Sequence, residues 1–203
     1  APMSGRLMLV DSASLYFRAF FGVKDPIMAP DGTPVNAVRG FLDMLATLIT
    51  RQRPTRLVAC WDDDWRPAFR VAAIPSYKAH RLAPSQPAGG PDVEITPDAL
   101  DVQVPIIAAA LEVLGIARLG GAGLEADDVI GTLTTREVRR AHAAGAAADV
   151  EVVTGDRDLF QLVDDAGVVR VLYTGKGVRN LDEVDQGRLA EKYGVADGAG
   201  YAA

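Results

Sequence analysis

The chain has 203 residues, 49% hydrophobic and 24% charged, with a formal net charge of −6, a globular composition that excludes a wholly disordered chain and suits one domain plus an appendage. No run approaches the roughly 18 apolar residues of a membrane span, and the N-terminus lacks a secretory apolar core; Ala1 and Pro2 ahead of Met3 read as a cloning scar. The single Cys60 excludes an internal disulfide and any multi-cysteine zinc site, and with only His80 and His142 there is little material for a histidine-rich one.

Arg6–Val10 is a short apolar run ending at Asp11, and predicts a buried strand. Ser14–Phe21 predicts a helical turn carrying Arg18, and the prolines of Pro26–Pro34 predict a loop. Ala37–Thr50 places Val38, Phe41, Leu42, Leu45, Leu48 and Ile49 at helical spacing. Arg56–Trp61 predicts a second strand, ending at Asp62. Arg66–Pro97, with six prolines and adjacent glycines, predicts a mobile insertion with a short helix near Phe69–Ala73. Asp98–Leu114 predicts one helix with Asp98 as its N-cap, Ile116–Leu119 a strand, and Glu125–Ala144 a long helix. Val150–Val153 and Val168–Tyr173 predict strands separated by a helical turn at Leu159–Val163. Leu181–Tyr193 predicts a helix, and the Ala/Gly-rich stretch after Gly194 predicts no cap. Strands alternating with helices imply an α/β fold with a mostly parallel sheet flanked by helices, and there is no internal repeat.

Charge is unevenly distributed. No Asp or Glu occurs from Trp65 to Pro91, whereas Arg66, Arg70, Lys78 and Arg81 all fall there. Acids gather at Asp62, Asp63 and Asp64, at Glu125, Asp127 and Asp128, and at Asp156 and Asp158. Asp11, Asp62 and Asp156 each follow a predicted strand, and in open parallel sheets ligands bind outside the carboxyl ends of strands. Glu125 and Asp128, three apart, are expected to share one helix face, with Asp127 pointing elsewhere within the first turn. So many anions in one place are tolerable only around bound cations, and an all-oxygen set suits Mg²⁺ or Mn²⁺. Two such ions serve phosphodiester hydrolysis without a histidine base or a nucleophilic serine. A basic strip beside acids fits a metal-dependent enzyme acting on a phosphate polymer. The plain alternative for any one acid is a helix cap or a solvated turn; Asp11 suits an N-cap equally well.

The string VDSASLYFRAF, then Phe69, Arg70, Tyr77, Lys78 and Arg81 in FRxxxxxxYKAHR, then LEADDVIG and TGDRDLFQL, in that order over Val10–Leu162, resembles the flap endonuclease family. The likeness is greatest to the 5′-exonuclease domain of bacterial DNA polymerase I and its free-standing relatives. The resemblance implies a PIN-like nuclease domain over residues 3–194, with residues 66–97 as a flexible basic helical arch. It implies two Mg²⁺ or Mn²⁺ ions, and hydrolysis of DNA bearing 5′ flaps, overhangs or gaps in replication and repair. It gives one ion Asp11, the Asp62 region, Glu125 and Asp127, and makes Asp128, Asp156 and Asp158 ligands of the other or groups that hold its ligands in place. It makes Arg18, Arg70, Lys78 and Arg81 phosphate contacts, with Lys78 and Arg81 beside the scissile phosphate. Tyr77 stacks on a base or anchors the arch, and Phe69 packs.

Two departures stand out. The family has one acid after the second strand; strand geometry favours Asp62, whereas counting back from Phe69 favours Asp63. The family also continues with two more metal-facing aspartates and a helix-hairpin around a potassium ion. Residues 195–203 are expected to begin that region, so the chain reads as a fragment or as a member lacking it. The expected setting is a monomer in the bacterial cytoplasm at the nucleoid, off the membrane. A PIN-domain ribonuclease, a DNA-binding module without turnover and, more distantly, a phosphotransfer domain are the competing readings. Arg136, Arg139 and Arg140 read as a solvated helix face, with DNA contact as the alternative.

Overall fold

The computed structural model describes residues 5–23, 27–84, 92–166 and 168–203. The proline- and glycine-rich segment 85–91 of the expected arch and the start of the expected domain at residues 3–4 lie outside the described residues. Six strands form one sheet: β1 (Leu7–Asp11), β2 (Arg56–Cys60), β3 (Ala117–Leu119), β4 (Val150–Thr154), β5 (Val169–Tyr173) and β6 (Asp182–Val184). Their order is β3-β2-β1-β4-β5-β6, parallel throughout except for β6, which runs antiparallel at the edge beside β5.

Period-two alternation in β1 divides the core. Leu7 and Leu9 point into a layer with Val129, Ile130, Phe160 and Leu189, whereas Met8 and Val10 point into a layer with Leu15, Phe41, Leu45 and Ile107. Helices therefore cover both faces. On one side lie α1 (Ser12–Gly22), α2 (Asn36–Gln52) and α5 (Val104–Val113). On the other lie α6 (Ala126–Ala143), a 3₁₀ turn at Asp158–Leu162, and α7 (Gln186–Tyr193). The order of strands reverses about β1, whose neighbours are β2 and β4, and this makes the carboxyl ends of β1 and β4 the natural binding crevice.

Four expectations are corrected. The single helix predicted over Asp98–Leu114 is two, α4 (Asp98–Asp101) and α5. Pro105 lies in the first turn of α5, where a missing N–H costs nothing but continuity is lost. Asp98 is not the cap; Pro97 occupies that position and no side chain caps the helix. The helix predicted from Leu181 begins only at Gln186, because residues 182–184 pair with β5 and Asp185 caps α7 by accepting from the Arg188 N–H at 2.7 Å. After Gly194 a short capped helix, α8 (Gly198–Ala202), forms: the Asp197 carboxylate accepts from Gly200 N–H, and Tyr201 packs edge-on against Tyr193 and tilted against Phe160.

The break before α5 has a purpose in packing. Gln103, fully buried, sits at that junction, and its carbonyl accepts from Ala37 N–H at 2.7 Å and Val38 N–H at 3.2 Å. Its amide donates to Asn36 Oδ1 and to Ala99 C=O. It thus satisfies the otherwise orphaned donors at the start of α2, which has no side-chain cap of its own. Replacing Gln103 by Leu leaves these donors buried without partners. Urea unfolding is expected to show a loss of about 2–4 kcal/mol, and a loss below about 0.5 kcal/mol would contradict this role.

Candidate active site

The carboxyl ends of β1, β2 and β4 open into a cleft of about 560 Å³, lined by Asp11, Asp62, Glu94, Glu125, Asp127 and Asp156 together with Lys78 and Arg81. Each acid arrives by a different local rule. Asp11 ends β1 and caps α1, accepting from Ser14 N–H at 3.1 Å, while its other oxygen accepts from Thr154 Oγ at 2.7 Å across the strand reversal. It is both the plain N-cap and a member of the cleft. Asp62 follows β2 and accepts from Ala126 N–H at 2.6 Å, at the positive end of the α6 dipole. Asp156 follows β4 in a turn in which its backbone N–H donates to Thr154 Oγ and its carboxylate accepts from Asp158 N–H.

The α6 acids are arranged differently from the expectation. Glu125 is the N-cap, with extended backbone, so it sits just outside the helix proper, yet it still meets Asp128 through reciprocal capping-box bonds and a shared Arg70. From there its buried side chain turns toward the 66–84 segment, while Asp127 is the one that faces Asp11, Asp62 and Asp156. Asp128 accepts from Glu125 N–H at 3.0 Å and from Arg70 at 2.6 Å, and with Asp158 it lines an adjoining groove. Asp63 is exposed and lies against Gly120, where any Cβ would overlap its carboxylate; it does not line the cleft. Geometry thus separates Asp62 from Asp63.

The described part of the basic insertion is tied to these acids and not loose. It carries α3 (Ala68–Ala73) and a 3₁₀ turn at Ala79–Arg81. Arg70 lies 2.7 Å from Glu125, the Tyr77 hydroxyl donates to Glu125 at 2.7 Å, and Lys78 pairs with the same carboxylate. Lys78 takes a φ of 49°, a left-handed conformation costing a non-glycine residue roughly 1 kcal/mol; the Glu125 pair and a bond to Trp65 C=O offset it. Arg66 staples the base of the insertion by donating to Tyr77 C=O and pairing with Asp92. Arg81 pairs with Glu94 at 3.5 Å. Tyr77 is therefore an anchor here. Phe69, expected to pack, is 54% exposed, with the Arg70 guanidinium over its ring. Arg18 lies on α1 outside the cleft lining, its Nε buried without a hydrogen-bond partner among the described residues.

Two residues escaped sequence reasoning. Glu94 lines the cleft; its signal was to be the second acid after the acid-free strip. Arg66 was visible only as one more cation of that strip.

The acids strain against one another. Burial, then the charges of Asp11, Asp156, Asp62 and Glu125, push Asp127 up to about 8. Burial lifts Asp11 to about 6 despite its two hydrogen bonds, and also raises Asp62. Among the described residues no three carboxylates close into a ready metal cage; Glu125 is turned to the arch cations, Asp11 to Thr154 and Asp62 to Ala126. The donor set still fits a hard divalent cation: oxygen only, in excess of nearby positive charge, and open enough for an ion that keeps several waters.

Residues 6–194 match the family described as 5′-3′ exonuclease, N-terminal resolvase-like domain, and the chain belongs to that family. It is 63% identical over 195 residues to a 5′-3′ exonuclease of Streptomyces coelicolor, covering 96% of this chain and 61% of that protein. It is 53% identical over 204 residues to a 5′-3′ exonuclease of Mycobacterium tuberculosis, covering 98% and 62%. The chain thus spans about three-fifths of the length of these relatives. Among solved structures, bacteriophage T5 5′-exonuclease with zinc bound matches with a TM-score of 0.61 at 18% identity, covering 95% of this chain and 62% of that one, which confirms the PIN-like fold. No helix among the described residues is long and apolar enough to cross a membrane.

A carboxyl whose folded pKa is raised favours the folded state while protonated. That contribution is full below the unfolded value near 4 and is lost as pH rises through the folded value. Without divalent ions the chain should therefore lose stability between about pH 4 and pH 8 through Asp127. Asp127→Asn removes the loss. In urea unfolding with EDTA, the variant should gain steadily on the wild type across that window, by several kcal/mol at pH 8; parallel pH curves would contradict the assignment.

Proposed function

We propose that this chain is the catalytic part of a divalent-metal-dependent, structure-specific 5′-nuclease that hydrolyses DNA carrying 5′ flaps, overhangs or gaps. The observation that carries this reading is a cleft in which carboxylates raised by burial and mutual repulsion face Lys78 and Arg81 of the stretch Trp65–Pro91, which holds no Asp or Glu. Anionic groups alone would repel a phosphodiester, and cations alone would bind it without cutting. Their juxtaposition at a strand-reversal crevice serves phosphoryl chemistry.

The ions are Mg²⁺ or Mn²⁺, two per site. Asp11, Asp62, Glu125 and Asp127 hold one, and Asp156 with Asp158 holds the other. Asp128 sits behind them as the partner of Arg70, and Asp63 takes no part. When bound, the ions supply an activated water and charge stabilisation at the leaving 3′ oxygen. Lys78 and Arg81 orient the scissile phosphate and balance its developing charge. Arg70 and Arg18 hold neighbouring phosphates. Tyr77 donates to Glu125 here, and would be free to stack on a base were that carboxylate to hold an ion. The domain spans residues 3–194, with a further DNA-gripping region following, and works as a monomer in the bacterial cytoplasm. The related T5 flap endonuclease has been crystallised in a pseudo-enzyme-product complex with DNA and metal ions, which supports the reading of substrate and cofactor class.

Single-turnover cleavage of a 5′-labelled flap DNA with Mn²⁺, using the full-length protein, tests this. Cutting at the flap junction is expected, with Asp156→Ala slower by about 100-fold or more. Cleavage of RNA without need of a 5′ end would replace the reading with a ribonuclease. Tight binding in Ca²⁺ with no product in Mn²⁺ would leave a binding module.

A further inference from the structure

A second groove, about 930 Å³, opens directly off the acid cleft, and Lys78, Arg81, Asp127 and Asp156 line both. From there it follows α6 over Gly131, Thr132, Thr135, Arg136 and Arg139. Steps of three and four residues keep Asp128, Thr132, Thr135 and Arg139 on one helical face. Beyond Asp128 this face carries no carboxylate. Thr135 donates back to Gly131 C=O, and Thr132 is exposed. A Cβ on Gly131 would meet nothing within 4 Å, so the floor is open there.

Beyond the first turn, the remaining charge on α6 is already paired. Glu137 binds Arg56 at 2.6 Å and Arg140 at 2.7 Å. Arg136 and Arg139 are exposed and have no ion-pair partner among the described residues. A helix surface that neutralises its other charges yet leaves two arginines one turn apart unpaired, on the wall of a groove leading from the reactive cleft, suits a chain of regularly spaced anions.

We infer that this groove is a phosphate track for the DNA strand being cut, with Arg136 and Arg139 as its cationic contacts. The inference rests on the nuclease reading above. Continuity with the cleft selects the cleaved strand, because the strand whose phosphate sits among Asp127, Asp156, Lys78 and Arg81 needs no detour to enter the groove. At about 1.5 Å per helical residue, Arg136 and Arg139 lie roughly 12 and 17 Å beyond Asp128 along the α6 axis. For a duplex whose axis runs along α6, at about 3.4 Å of axis per phosphate of one strand, they reach phosphates about four and five steps from the one beside Asp128. Both are positioning residues: they bind and register the strand without touching the reacting atoms.

The test compares full-length wild type with R136Q/R139Q and R136K/R139K on flap DNA. Binding is measured in Ca²⁺ across a salt series, and single-turnover cleavage in Mn²⁺. The Gln pair should weaken binding by about tenfold near 0.1 M salt and flatten the log K against log salt slope by about 1.4–1.8. The cleavage rate at saturating protein should stay within about twofold, and the Lys pair should restore most of the affinity, which a merely structural role would not do. Uncharged methylphosphonates placed four or five steps from the cleaved bond in the cleaved strand should weaken wild type and leave the Gln pair unaffected. An unchanged slope and affinity, or methylphosphonate sensitivity confined to the uncleaved strand, would overturn the track while leaving the nuclease reading intact. Absence of cutting by wild type would overturn that reading and with it the assignment of a cleaved strand.

Discussion

Carboxylates cannot be gathered at low dielectric without something to hold them, and the structure is organised around that constraint. Asp11, Asp62, Asp127 and Asp156 stand at the carboxyl ends of parallel strands or the start of the helix beside them. Each strand end is a poor place for a charge and a good place for a ligand. Burial costs an unpaired anion several kcal/mol. The fold offsets part of that with Ser14 N–H, Thr154 Oγ and Ala126 N–H. The rest appears as raised proton affinity at Asp127 and Asp11. A divalent cation would relieve what hydrogen bonds cannot.

The same constraint explains the basic insertion. Glu125, nearly fully buried, gathers Arg70, Tyr77 and Lys78 around one carboxylate, and Asp128 takes the other branch of Arg70. Residues 66–84 are shaped by the acid cluster as much as by their own propensity. Their two helical pieces are three to six residues long and bury no side chain; such segments do not persist alone. Electrostatic attachment therefore positions Lys78 and Arg81 over the cleft, and links the state of the carboxylates to the placement of the arch.

Much of this was legible beforehand. Short apolar runs ending in Asp11, Asp62 and Asp156 mark buried parallel strands and place acids at one edge, because a buried strand interior carries a charge only when it is paired, as Glu151 is with Arg6 and Arg170, whereas a strand end opens to a ligand. What the one-dimensional pattern could not show depended on partners distant in sequence. The break between α4 and α5 reflects Gln103 reaching across to α2. Residues 182–184 became a strand because β5 offered an open edge. The division of labour among Glu125, Asp127 and Asp128 turned on one residue: Glu125 is an N-cap and not the first residue of the helix, which brings it with Asp128 onto Arg70 and leaves Asp127 facing Asp11, Asp62 and Asp156. Asp62 lines the cleft and Asp63 does not, because Asp63 lies in the space that Gly120 leaves open.

The claim on which everything else rests is that the acid cleft is a divalent-ion site. The most direct measurement is a titration of the EDTA-treated protein with Mn²⁺ at pH 8, following free Mn²⁺ by electron paramagnetic resonance. The account predicts saturable binding, competed by Mg²⁺ and weakened at least tenfold by Asp11→Asn. Binding that never saturates, or that is indifferent to Asp11, would contradict it.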